Sequence, residues 1–345
     1  MSTAPQAASD AAAPSRRPVR LWLFAIAGLV LLMAVVGAAT RLTDSGLSIT
    51  EWRPLLGAIP PLTEADWLAA FEKYKAIPEY SIVNNGMTLD DFKPIYWWEW
   101  SHRFLGRTIG VVFAVPFLIF LVRGRIDRAL GVRLGGLLAL GGLQGFVGWY
   151  MVQSGLVDRV DVSQYRLALH LSIAAAIFAW TVWMALGIGA AQVTGATAGW
   201  RWSARGLVAL LFLQIAAGAF VAGLDAGLAY NTWPTMDGAF VPDGLGVMTP
   251  GYLNLFENAL TVQFDHRLLA YAIALWVAIQ AVAALRAEPS PWRASAFVLL
   301  AAVLAQIGLG IWTLLTQVPI GLGLAHQAGA FVLLGLAVWH ARRVG

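Results

Sequence analysis

LWLFAIAGLVLLMAVVGAATRLTDSGL, residues 21–47, decides the fold in two ways. Its first part, 21–40, carries no charge, and about 20 such residues are what a helix needs to cross the hydrocarbon of a bilayer. Its second part, Gly37-Ala38 through Asp44-Ser45-Gly46-Leu47, returns further along as Gly218-Ala219 through Asp225-Ala226-Gly227-Leu228. A spanning helix and an internal repeat are thus written in one stretch.

The rest of the chain follows the same plan. Glu99-Trp100-Ser101-His102-Arg103-Phe104-Leu105 matches Gln263-Phe264-Asp265-His266-Arg267-Leu268-Leu269. Gln144-Gly145-Phe146-Val147-Gly148 matches Gln306-Ile307-Gly308-Leu309-Gly310, and Leu167-Ala168-Leu169-His170 matches Leu322-Gly323-Leu324-Ala325-His326 after a one-residue adjustment. Apolar segments at 21–40, 101–122, 134–153, 166–187, 204–223, 264–285, 294–315 and 320–340 each approach the length of a span. Four per half is an even number, so both repeats share one orientation. The expected fold is an all-α membrane protein of eight transmembrane helices in two tandem four-helix bundles, 20–190 and 200–345, preceded by a flexible tail at 1–19. Transporters also use repeats, so repetition alone assigns no function.

Composition agrees. Hydrophobic residues make up 59% of the 345 and charged residues 12%, about half the usual share for a soluble domain, and the mean hydropathy is +0.69. The basic pI of about 9.6 reflects where arginine sits and is no sign of nucleic-acid binding. Arg16, Arg17, Arg20, Arg123, Arg125, Arg128, Arg133, Arg201, Arg205, Arg286, Arg293, Arg342 and Arg343 fall on one side, opposed only by Asp10, Asp127 and Glu288. Loop 225–262 on the other side has no Lys or Arg and carries Asp225, Asp237, Asp243 and Glu257. The positive-inside rule therefore puts both termini in the cytoplasm. The first run lacks a following cleavage site and reads as a retained helix. The long outer loop 43–98 holds all three lysines but twice as many acids as bases. It is long enough to be functional or partly folded, with a short surface helix expected around Glu64 to Lys75; Trp97, Trp98 and Trp100 mark the outer interface. With no cysteine in the chain, disulfide, iron–sulfur and thiolate chemistry are excluded.

Four of the five histidines, His102, His170, His266 and His326, occupy repeated positions, expected a few residues into the outer ends of their helices. His340, beside Arg342 and Arg343, reads as interfacial. Two imidazoles from facing helices of a bundle can ligate a haem iron from both sides; hydrogen bonding between helices is the plainer alternative for any one of them. Ionisable groups at membrane depth are costly and usually functional. Gly106, Gly110, Gly141, Gly142, Gly145, Gly148, Gly308 and Gly310 either open space for a flat macrocycle or serve small-residue helix packing.

The halves differ where chemistry would need them to. Glu99 stands three residues before His102, whereas its counterpart Gln263 cannot ionise, and Arg41 is matched by Ala222. This asymmetry places chemistry in the first bundle and a permanent haem for electron transfer in the second, unless Glu99 merely pairs with Arg103. Arg103 and Arg267 follow their histidines, either as partners for haem propionates or snorkelling to the interface.

Glu-x-x-His-Arg at 99–103, His170, Asp-His-Arg at 265–267 and Ala-His-Gln at 325–327 together resemble the heme A synthase family over about residues 20–340. The long first loop and Ile95-Tyr96-Trp97-Trp98-Glu99-Trp100 look like its alphaproteobacterial and mitochondrial branch. The resemblance implies an oxidoreductase of the cell inner membrane that turns the C8 methyl of haem O into a formyl group, giving haem A for cytochrome oxidase. It implies haem b as cofactor on His266 and His326, haem O as substrate on His102 and His170, and Glu99 as the essential carboxylate. Implied partners are heme O synthase, cytochrome oxidase assembly factors and an electron donor or acceptor that the sequence does not name, with a homo-oligomer compatible and no nucleic acid. Some members carry cysteine pairs in the outer loops; this chain does not. The rival readings are a diheme b-type cytochrome taking electrons from quinol and a proton-coupled transporter.

Overall fold

The computed structural model describes residues 16–53, 56–157, 159–189, 196–286 and 292–345. Most of the tail at 1–19, with Asp10 and Glu288, lies outside them. In chain order the described residues form α1 (Arg17–Leu42), α2 (Glu64–Lys75), α3 (Pro78–Ile82), α4 (Leu89–Val122), α5 (Arg128–Gln153), α6 (Gln164–Gly187), α7 (Ala198–Gly223), α8 (Ala226–Ala229), α9 (Asn254–Glu257), α10 (Ala259–Arg286), α11 (Arg293–Leu315) and α12 (Ile320–Val344). Eight of them, α1, α4–α7 and α10–α12, are long and apolar enough to span a membrane. Helices α1, α4, α5 and α6 touch in one closed ring and α7, α10, α11 and α12 in another; α1 and α6 meet α7 and α12 between them.

Local chemistry sets the helix ends. Pro18 sits in the first turn of α1, where its missing N–H costs nothing. Thr63 and Thr88 open α2 and α4 with reciprocal capping boxes to Asp66 and Asp91, and Asp127 caps α5. Asp44 and Asp225, just past α1 and α7, both take the left-handed conformation with φ 48°, an excursion that Asp tolerates better than most residues. Inside α4, Pro116 removes the N–H that would bond the Val112 carbonyl. Trp22 of α1 donates its indole N–H to that oxygen at 2.9 Å. A neighbouring helix thereby satisfies a backbone group that lipid could not.

Sequence and structure differ most at α4, which begins at Leu89 rather than near 101. Its first turns stand outside the apolar span because the long loop folds against them. Phe71 and Tyr74 of α2 lie 5.1 and 5.2 Å, ring to ring, from Phe92 of α4, and Tyr96 joins the same buried cluster. The predicted surface helix is α2, so residues 43–98 form a folded cap rather than a loop.

The two rings are clasped at both faces. On the face where α1 begins and α12 ends, Arg342 of α12 lies 3.7 Å over Trp183 of α6 and donates to its carbonyl at 2.8 Å. On the opposite face Arg41 pairs with Asp225 at 2.9 Å and Asp44 at 3.3 Å, and donates to the Ala222 carbonyl. Between the clasps, Phe178 and Phe331 pack edge to face.

Candidate functional site

Each repeated histidine rests on a glycine of the preceding spanning helix. A Cβ built on Gly37 would come within 2.9 Å of Nε2 of His102, and one on Gly148 within 3.0 Å of Cε1 of His170. In the second half, Gly218 stands likewise 3.1 Å from His266 and Gly310 2.8 Å from His326. Any side chain at these positions would displace an imidazole, which is why the repeats share glycine there.

One turn before three of these glycines stands a glutamine. The amides of Gln144, Gln214 and Gln306 donate to the backbone carbonyls of His170, His266 and His326 at 3.1, 3.1 and 2.8 Å. The same amide nitrogens lie 3.1–3.3 Å from ring nitrogens of those histidines. Gln144 and Gln306 stand in the quoted repeats without an expected role, and Gln214 lies outside those repeats. The signal was present in the spacing: Gln-x-x-x-Gly at 144–148, 214–218 and 306–310.

All four histidines line one cavity of about 1500 Å³ that runs through both rings, larger than a typical small-molecule pocket of roughly 300–1,000 Å³. The rings of His266 and His326 lie with centroids 6.5 Å apart and planes at 68° to each other. That leaves room for one metal ion between them, with metal–nitrogen bonds of about 2 Å. Gly110, Gly141, Gly142 and Gly145 meet nothing within 4 Å of a built Cβ, so they border open cavity instead of packing helices together.

The donor set suits haem. His170 Nδ1 and the side-chain oxygens of Gln144 and Gln214 are buried without partners among the described residues. By holding the backbone carbonyl of its histidine, each glutamine fixes the imidazole from behind, the kind of outer support that orients a ligating histidine. Arg267 Nε, on the cavity wall, is likewise a buried donor without a partner, as an anionic side chain would require.

Glu99 is buried, and every contact ties it to the cap. It accepts from the Ser48 hydroxyl at 2.7 Å, the Ile49 N–H at 2.6 Å and Arg103 at 2.5 Å. Arg103 also donates to the carbonyls of Ile49 and Glu51. In the second half Gln263 donates to the Ala226 carbonyl and accepts from Arg267, which holds the carbonyls of Tyr230 and Thr232. Both arginines anchor the segment after the first helix of their repeat, and neither snorkels free. The pairing of Glu99 with Arg103 weighed from the sequence is present.

Two expectations need correction, and one residue carried none. His102 lies well inside α4 rather than a few residues from its start, because that helix extends into the cap. His340 is fully buried, 2.8 Å from the Ser295 hydroxyl, not interfacial. A further carboxylate escaped notice: Glu79 of α3 is 4% exposed, lines the cavity, and has one oxygen without a partner. Burial pushes its carboxyl up to about 8, with the nearby Glu99, Asp44 and Asp161 adding to the effect.

The fold and site define a multi-pass helical membrane protein built around two pairs of intramembrane histidines that share one cavity. Residues 20–338 match the COX15-CtaA family, described as cytochrome oxidase assembly protein. A protein named heme A synthase from Parvibaculum lavamentivorans is 55% identical over 94% of this chain and 93% of its own length. Those of the same name from Chelativorans sp. and Bradyrhizobium diazoefficiens are each 53% identical, over 97% and 96% of this chain and 93% of their own. The chain belongs to the COX15-CtaA family.

Proposed function

We propose that this chain is a heme A synthase, oxidising the C8 methyl group of haem O to a formyl group. Haem b would be its resident cofactor in the second half, on His266 and His326, and haem O its substrate in the first, on His102 and His170. The observation that carries this reading is the arrangement of four glycine-seated histidines around one cavity, with an ionisable Glu99 one turn from His102 and a neutral Gln263 in its place beside His266. The macrocycles supply the redox chemistry when bound. The chain's own residues would hold and orient them: the paired imidazoles at the iron, the glutamines behind three of the four imidazoles, and Arg267, with its partnerless Nε, toward an anionic side chain. Glu99, fixed by three donors, supplies a stationary negative charge or proton acceptor beside the first pair. The arginine-rich side supports an inner-membrane protein with cytoplasmic termini; heme O synthase and an electron partner follow from the reaction itself.

The test is to purify the protein from cells with and without a haem O supply and to identify the extracted haems by chromatography and mass. Haem b in every sample, with haem A only when haem O is supplied, is the expected result. Glu99→Gln should keep haem b and lower haem A formation roughly 10²–10⁴-fold, the usual weight of a positioned acid or base. Two haem b per chain and no haem A under any supply would instead mean a diheme electron carrier.

A further inference from the structure

Three of the four histidines are held by a glutamine one turn before their glycine; the fourth is not. The residue that precedes Gly37 by one turn is Met33. Its terminal methyl lies over Gly106, 3.3 Å from a Cβ built there, one turn beyond His102. A thioether cannot donate to the His102 carbonyl or hydrogen-bond its ring as the amides do. His102 has no side-chain hydrogen bond among the described residues, whereas its counterpart His266 has Gln214 at both carbonyl and ring.

A second difference lies on the same side of the first ring. Gly141, Gly142 and Gly145 of α5 are matched in α11 by Val303, Leu304 and Ile307. Where Val303 is buried in the core, Gly141 and Gly142 meet nothing. Helices α10 and α11 pack closely while α4 and α5 touch sparsely. The unclamped histidine is on α4, one wall of this gap.

We infer that His102 is the releasable ligand of the first half, and that the macrocycle held there enters and leaves between α4 and α5. This rests on the proposed haem-binding reading and deepens it. A ligating histidine without such outer support is a weaker ligand, and loss of an outer partner commonly costs 10–100-fold in affinity. His170, still backed by Gln144, keeps its hold while His102 lets go. The second half, clamped on both sides and closed between α10 and α11, retains its group.

The full-length protein in lipid nanodiscs, loaded with haem b as probe, should transfer haem to excess apomyoglobin in a fast and a slow phase. Met33→Gln should slow the fast phase by about 10–100-fold, and Met33→Leu should leave it fast. Gly141→Val, copying the buried Val303, should slow it while sparing the slow phase. Gln214→Met should speed the slow phase. Equal rates from both halves, or a fast phase that Met33→Gln leaves unchanged or that Met33→Leu slows equally, would overturn the inference while leaving haem binding intact. Failure to take up haem in either half would overturn the functional reading beneath it as well.

Discussion

Glu79 gives the cap a pH-dependent hold on the protein. Its carboxyl rises from an ordinary 4.5 to about 8 in the folded cap, chiefly through burial. At about 1.4 kcal/mol per pH unit, that displacement is worth on the order of 5 kcal/mol between the two protonation states. The folded cap binds this proton more tightly than an opened cap does. Stability is therefore greatest at low pH, falls as pH rises from 4.5, and levels off above about 8. Between about pH 5.5 and 8.5 the open population should grow on the order of 200-fold, or ~3 kcal/mol. Protease cleavage within α2 and α3 follows that population when reclosing is fast. Measured in nanodiscs, the ratio of wild-type to Glu79→Gln cleavage rates should climb by that factor across the range, because the neutral variant has nothing to ionise. Parallel rates for the two proteins would refute the assignment of the buried proton to Glu79.

Other substitutions probe other parts of the argument. Trp22→Phe keeps an aromatic side chain but strands the Val112 carbonyl, and should lower stability to denaturant by about 1–3 kcal/mol. Gly310→Ala drives a methyl to within 2.8 Å of His326 and should strip haem from the second half alone, visible as a halved haem absorbance per chain. Arg41→Ala removes an ion pair with Asp225 in which the arginine is 19% exposed; it should loosen the contact between the rings, read as faster hydrogen exchange where α1 meets α12.

The fold was legible because a bilayer imposes a length and a polarity on each helix, and the repeat supplied a check on every span. The histidines were legible for a similar reason, since a costly residue appeared at four matched positions. The reach of α4 was not, because its first turns are held by Phe71 and Tyr74, residues distant in sequence. Glu79 was hidden for the same reason: nothing around α3 announces that an aromatic cluster will bury it. The glutamines were less legible, because spacing alone does not show that their amides reach the histidine carbonyls. Glu99 was found as a difference between halves, yet its donors come from Ser48 and Ile49, which no helical spacing could pair with it.

Arg41 also looked like a mark of chemistry, since Ala222 replaces it in the second repeat. Its contacts suggest another origin. It touches the carbonyl of Ala222, its own counterpart, and bridges Asp44 and Asp225, which are counterparts of each other. That is a meeting point of duplicated parts, where whatever one copy contributes the other would contribute to the same spot. With Asp161 also 3.8 Å away, one arginine serves three carboxylates drawn from both copies, so the inequality with Ala222 belongs to the seam that joins the halves.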